Sequence, residues 1–148
     1  MNILYGIQGT GNGHITRSRL LVPLLRKKGF NVDVILSGRK KEEYWDMECF
    51  RPYDTKLGIT FQLTNGTVKK WETIKNLKLK QFWMDLKSID FKSYDIVITD
   101  YEPISAWAAK KHGILSIGIG HLYSFLYNVP MHNGFVFDKK IMNWFAPV

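Results

Sequence analysis

The segment Gly9-Thr10-Gly11-Asn12-Gly13-His14 places three glycines directly before a histidine, between an apolar strand pattern and a helical one. Glycines let backbone amides approach a ligand closely, and a helix start favours negative charge. Cradling an anion needs no imidazole, whereas taking a proton often does, so His14 reads as a candidate general base. A second chemical group stands at Asp100, the end of the buried run Asp95-Ile96-Val97-Ile98-Thr99. Ligands of open α/β sheets bind outside the carboxyl ends of the strands. An aspartate there can fix the tautomer of His14 and stabilise its protonated form. Glu102 and His121 also fall at strand ends and are candidates to line the same cleft, His121 closing a second glycine segment, Gly118-Ile119-Gly120-His121. The plain alternatives are that His14 caps the first helix, that Asp100 caps the helix opened by Pro103, and that His121 ends an ordinary turn.

Other chemistries fit less well. In a dinucleotide fingerprint G-x-G-x-x-G, Gly9 and Gly11 match but His14 takes the third glycine position. The second strand ends Leu36-Ser37-Gly38-Arg39, with no ribose-binding acid. Arg39 could instead hold the extra phosphate of NADP, which keeps an NADP-type nucleotide-binding domain as an alternative. A P-loop fails, because no Lys-Ser/Thr follows the glycines. His14, His112, His121, His132 and Cys49 show neither zinc-type histidine nor C-x-x-C spacing, so no metal site is expected. Lys69-Lys70-Trp71 and Lys75–Lys80 mix basic and aromatic residues, but the apolar residues of the second stretch recur at helical spacing. A solvated helix face over a core stripe explains them, and no nucleic-acid partner is expected.

The elements that must position these groups alternate between strand and helix. Asn2–Ile7 reads as the first strand. Ile15–Lys28 reads as the first helix, with Leu20, Leu21, Leu24 and Leu25 as its core stripe, Pro23 as a kink or a first turn, and Gly29 as its stop. Asn31–Leu36 is a Val/Ile-rich buried strand. Lys40–Asp46 reads as a short helix and Cys49–Tyr53 as irregular. Gly58–Thr64 alternates Ile59, Phe61 and Leu63 inward, and Asn65-Gly66 then predicts a β-hairpin near 58–71 with Thr67–Trp71 returning. The turn also accounts for the sequon Asn65-Gly66-Thr67. Thr73 can cap a helix striped by Ile74, Leu77, Phe82, Trp83 and Leu86. Tyr94–Thr99 is a buried strand; Pro103 to Gly113 is a helix with a first-turn proline; Ile114–Ile119 is a further strand. The order predicts an α/β fold, a doubly wound, mostly parallel sheet with helices on both faces. Asn143-Trp144-Phe145-Ala146-Pro147-Val148 is a strongly apolar terminus, either docked or continuing into a further unit.

The 148 residues suit one domain with a real core, and 45% hydrophobic with 14% aromatic content excludes a disordered chain. The net charge of +8 suits a membrane surface, nucleic acid or an anionic ligand, or simply a generic basic surface. Cys49 is the sole cysteine, which points to a reducing compartment and a cytoplasmic location. No signal-peptide pattern opens the chain, and no apolar run reaches the roughly 20 residues of a span.

Met1–Arg39, through Tyr5 to His14 and Ser37-Gly38-Arg39, resembles the amino-terminal half of GT-B glycosyltransferases. It resembles in particular an uncharacterised bacterial and archaeal group related to the peptidoglycan lipid-II N-acetylglucosaminyltransferase and to glucuronosyl- and glycolipid-type transferases. Asp100-Tyr101-Glu102-Pro103-Ile104-Ser105-Ala106-Trp107-Ala108-Ala109 and Gly118-Ile119-Gly120-His121 are similar to that group's later motifs. The resemblance implies an acceptor-binding domain over residues 1–148, with the carboxyl-terminal donor-binding domain absent, as in a truncated chain or one subunit of a split enzyme. It implies an inverting, metal-independent transfer of a sugar from a nucleotide-sugar co-substrate, UDP-sugar by expectation, to a sugar-hydroxyl or lipid acceptor. His14 and Asp100 would be catalytic, Tyr101, Glu102 and His121 would bind acceptor, and Gly11, Asn12 and Gly13 would lie near the donor phosphates. No other cofactor is implied, and the fragment alone would be inactive. The basic balance would suit peripheral contact with the anionic inner face of the cytoplasmic membrane. A non-catalytic recruiting module remains the alternative from a different class.

Overall fold

The computed structural model describes residues 1–59, 63–64, 67–68, 79–130 and 139–148. Strands β1 (Asn2–Gln8), β2 (Asn31–Ser37), β3 (Tyr53–Lys56), β6 (Ile96–Asp100) and β7 (Ser116–Gly118) form an all-parallel sheet in the order β3-β2-β1-β6-β7. The chain leaves β1 toward β2 on one side and later returns to lay β6 on the other. In open α/β sheets ligands bind outside the carboxyl ends of the strands at such a reversal, here the ends of β1 and β6. Register fixes what meets there: Ile7 of β1 pairs with Asp100 of β6.

Side-chain alternation builds a core on each face. Ile3, Tyr5, Ile7, Val34, Leu36, Ile96 and Ile98 face the first helix, α1 (Asn12–Lys27). Leu4, Ile35 and Val97 face α2 (Leu79–Lys87), α3 (Pro103–His112) and α4 (Lys139–Phe145), where they join Phe82, Leu86, Ile104 and Phe145. Both halves of the doubly wound expectation are therefore present. The sheet also gains β3, a strand missed in the sequence because Tyr53-Asp54-Thr55-Lys56 sits at the edge with neither an alternating nor an apolar pattern.

The leucine stripe expected of α1 needs correction. Ile15, Ser18 and Val22 are its buried residues, Leu21 and Leu25 pack against them, and Leu20 and Leu24 are 76% and 50% exposed. At 100° per residue, a helix that turns Ser18 toward the sheet must turn Leu20 and Leu24 away. The helix starts three residues earlier than expected, at Asn12, and runs through Pro23 to the Gly29 stop, where φ is +88°. The short helix expected over Lys40–Asp46 is a 3-10 turn, Lys41–Glu43, and a second 3-10 turn, Glu48–Phe50, runs into the segment Cys49–Tyr53 expected as irregular.

The expected hairpin is present where it is described. β4 (Leu63–Thr64) pairs antiparallel with β5 (Thr67–Val68). Its Asn65-Gly66 turn, Phe61, and the Thr73, Ile74 and Leu77 portion of the next helix lie outside the described residues. In α2, Phe82 and Leu86 are buried as expected and Trp83 is 46% exposed. The apolar terminus docks: Met142, Phe145 and Ala146 are buried, and Trp107 Nε1 donates to Trp144 O at 2.7 Å. Among the described residues, no helix is long and apolar enough to cross a membrane.

Candidate functional site

Strand alternation decides where Asp100 points. It follows Ile96 and Ile98 at two-residue steps, so it shares their face and meets α1. His14 Nδ1 lies 2.6 Å from Asp100 Oδ1. A carboxylate only accepts, so Nδ1 carries the hydrogen, and in the neutral imidazole the lone pair is on Nε2. Arg17, one turn further along α1, closes side-on over the same carboxylate. Its Nε donates to Oδ2 at 2.9 Å and its Nη2 to Oδ1 at 2.5 Å. The carboxylate is 0% exposed, the His14 side chain 16% and that of Arg17 33%. A buried charge thus carries two partners that reach toward solvent. Its hydrogen bond to Asp100 raises the pKa of Arg17 above its ordinary value, more than burial lowers it. Behind them, Ser18 Oγ lies 3.4 Å from both Asp100 Oδ2 and the Tyr5 hydroxyl, whose pKa burial pushes up to about 12.

Tyr101 and Glu102, expected at an acceptor surface, are placed in the interior instead. Tyr101 has a φ of +56°, a left-handed conformation that a bulky residue rarely adopts. Its ring stacks on Phe145 and meets Tyr123 edge-on, and its hydroxyl faces Met142 O at 3.4 Å. The sharp turn there sends Glu102 to the opposite face from Asp100. Glu102 is 0% exposed and caps α3, accepting from Ile104 N at 2.9 Å and Ser105 N at 2.6 Å. Its Oε1 also lies 2.6 Å from Ser37 Oγ. Burial raises its pKa, against the lowering effect of these donors. The cap that Asp100 offered on paper is therefore made by Glu102, and Asp100 is left for His14.

The glycine loop joins the end of β1 to the start of α1. Gly9 N donates to Ser37 O at 2.6 Å, and a Cβ on Gly9 would stand 2.8 Å from that same backbone oxygen, which cannot move aside as the Tyr44 ring can. Gly11 is the N-cap of α1, and Asn12 and Gly13 are its exposed first residues, with amides that the helix itself cannot satisfy. Arg39 Nη2 donates to Thr10 O and to Asn12 Oδ1, both at 3.0 Å, so the guanidinium that an NADP reading needs braces the loop. His121 is exposed and opens the 3-10 turn His121–Leu126. Its neighbour Gly120 touches the acidic site: a Cβ there would stand 3.2 Å from Arg17 Nη2 and 3.4 Å from Asp100 Oδ1. The structure thus brings together His14, Asp100 and the loop Gly11–Gly13, sets His121 at the rim, and holds Tyr101 and Glu102 inside. Among the described residues, no three His, Cys, Asp or Glu side chains gather as a metal site would require.

A family model described as glycosyl transferase family 1 matches residues 1–133. The chain belongs to glycosyl transferase family 1. That membership and the parallel sheet agree with the resemblance drawn from Gly9–His14 and Asp100–Ala109. Among solved structures, the family 1 chain is similar to MurG of Acinetobacter baumannii, with 17% identity and a TM-score of 0.49, over 79% of this chain and 33% of that one. It is also similar to a UGT transferase from Siraitia grosvenorii in complex with UDP, with 16% identity and a TM-score of 0.46, over 84% and 30%. It spans about a third of the length of these two structures. No curated protein sequence matches it.

Sequence reasoning missed Arg17 and Ser18 in the family 1 chain. The signal was present: residues three and four after His14 share its helix face. The four-leucine stripe drew attention to a rotation of α1 that turns Ser18 away from the sheet.

Proposed function

We propose that this chain is the acceptor-binding half of an inverting, metal-independent GT-B glycosyltransferase. The reading rests on one observation above the others: His14, partly open to solvent, hydrogen-bonded at 2.6 Å through Nδ1 to the fully buried Asp100. Such a pair leaves Nε2 of the neutral imidazole available as a base, its tautomer fixed from behind. In the reaction, Nε2 takes the proton of an acceptor hydroxyl. The freed oxygen pair forms the new bond to the anomeric carbon, and the bond from that carbon to the nucleoside diphosphate breaks with its electrons on the diphosphate. Attack opposite the leaving group inverts the anomeric centre. The unsatisfied amides of Gly11, Asn12 and Gly13 are placed to stabilise that leaving negative charge.

The donor is a nucleotide-sugar, UDP-linked by expectation, and its binding falls to a second Rossmann-like domain, on the same polypeptide or on a partner subunit. The acceptor offers a hydroxyl on a sugar or a lipid-linked glycan, and the +8 charge favours one presented at an anionic membrane. Kinetics of the two-domain enzyme test the reading. Positioned general-base help is worth roughly 10²–10⁴-fold, so His14→Ala is expected to lower turnover at least about 100-fold. Turnover retained in that variant removes His14 from the mechanism. Retention of anomeric configuration in the product removes the single-displacement step.

A further inference from the structure

We propose that Arg17 is a positioning residue for the His14–Asp100 couple, holding the carboxylate in plane and balancing its charge. The inference rests on His14 acting as the base. Asp100 is wholly buried, and an unpaired carboxylate in such a place is strongly unfavourable. Neutral His14 supplies a hydrogen bond but no charge. Arg17 supplies the charge, and does so through two parallel bonds, Nε to Oδ2 at 2.9 Å and Nη2 to Oδ1 at 2.5 Å. A forked contact of this kind fixes the carboxylate plane as well as its position. With that plane fixed, the free direction on Oδ1 is the one His14 Nδ1 occupies.

The surroundings are shaped for this trio. Arg17 Nη2 lies 3.3 Å from His14 Nδ1, with both groups directing hydrogens at Oδ1. Gly120, with φ at +124°, lets the backbone after β7 run against the guanidinium where a side chain would press on it. Among the described residues, the charged and titratable groups around the couple are Asp100 from β6, Arg17 from the same helix as His14, Tyr5 from β1 behind Ser18 and Tyr123, which interacts with Asp100; His121 follows Gly120 at the rim. With Arg17 present the trio is neutral before proton uptake and carries one positive charge after it. Without Arg17 it passes from one negative charge to neutral. Arg17 therefore balances the charge of Asp100 in the resting trio and prevents the carboxylate from swinging away.

Nitrogen-15 NMR of the histidine rings in the whole chain tests this without substrate, in wild type, Arg17→Met, Arg17→Lys and Asp100→Asn. In wild type, neutral His14 is expected wholly as the Nδ1–H tautomer. In Arg17→Met, the unopposed carboxylate is expected to move the His14 titration midpoint up by about one pH unit, the low end for a neighbouring charge, and to admit the other tautomer. Arg17→Lys keeps the charge and loses the fork, so the midpoint stays near wild type while the tautomers mix. Asp100→Asn mixes them whether or not Arg17→Met is added. If Arg17→Met unfolds, the lysine variant decides by its tautomer alone. An unchanged tautomer and midpoint in folded Arg17→Met, or an unchanged tautomer in Arg17→Lys, overturns the proposal. If the NMR changes appear while the two-domain enzyme turns over normally with His14→Ala, the coupling stands and the base assignment falls.

Discussion

Asp100 and Glu102 are two residues apart, both carboxyls are 0% exposed, and both sit at the carboxyl end of the same strand. Their partners differ. Asp100 binds two long cationic or ionisable side chains that reach solvent, His14 and Arg17. Glu102 binds the backbone amides of Ile104 and Ser105 and the hydroxyl of Ser37, all interior. Burial is the same and the chemistry is not. An acid held by movable side chains at a crevice can pass an effect to a ligand; an acid held by backbone amides can only hold a helix. Tyr101, left-handed at φ +56°, separates the two by sending each carboxyl to its own face.

The sharpest way to break this contrast is to remove each side in turn. His14→Ala is expected to lower turnover of the two-domain enzyme at least about 100-fold and to leave thermal stability of the chain nearly unchanged, because the imidazole makes a single strong contact at the crevice. Large loss of stability in that variant, measured by calorimetry, would make His14 a structural residue like Glu102. On the other side, Gly6→Ala strikes the Glu102 region alone. A Cβ at Gly6 would stand 2.0 Å from Ser105 Oγ, 2.7 Å from Ser105 Cβ and 2.9 Å from Glu102 Oε2. The hydroxyl can rotate away; the Ser105 Cβ is fixed to α3 and cannot. We expect a loss of about 3 kcal/mol, the upper end for overpacking, and a Tm lower by about 6–12 °C. A Tm within 2 °C of wild type, on the order of a surface change, means that α3 packs less tightly on β1 than described.

How much of this contrast the sequence shows depends on the element. The buried strands were legible because runs such as Ile96-Val97-Ile98 are apolar throughout, as strands covered on both faces must be. α3 was legible because Pro103 and Gly113 mark its ends by backbone geometry alone. The His14–Asp100 pair was legible from topology, since both follow strands that end on the same edge. The role of Glu102 was not. Whether Asp100 or Glu102 caps α3 depends on a positive φ at Tyr101, and no local pattern announces that a tyrosine will adopt it. β3 was lost because an edge strand needs no apolar alternation, and Leu20 and Leu24 misled because the face that packs on the sheet runs through Ile15, Ser18, Val22 and Leu25, with a serine where an apolar residue would have marked it.

Smaller effects follow from the Glu102 cap. Glu102→Ala deprives two amides and a hydroxyl of their acceptor. Losing the cap and leaving buried donors unpaired together cost about 2 kcal/mol, or about 4–8 °C in Tm, while activity per folded molecule is expected to hold. Activity that falls in step with His14→Ala would join the two acids into one site.

The smallest effect concerns the proton on Glu102. Burial raises its pKa more than Ser37, Ser105 and Ile104 lower it, so the folded chain holds a proton there at a pH where the unfolded chain, with a carboxyl near 4.3, has lost it. Stability contributed by this group is therefore fully present at pH below about 4.3 and declines as pH rises toward the folded value. The hydrogen bonds allow this. Ser37 Oγ is 2.6 Å from Glu102 Oε1 and 3.3 Å from Gln8 Oε1, and one hydroxyl hydrogen cannot serve both. If Glu102 is protonated it donates to Ser37, which then donates to Gln8, and every partner is served. If it is ionised, Ser37 turns to it and Gln8 is left without that donor. Glu102→Gln cannot titrate, so the Tm of wild type minus that of the variant is expected to shrink as pH rises from 4 toward neutrality. A difference that grows with pH instead would mean that the three donors outweigh burial and that Glu102, like Asp100, is held as a charge.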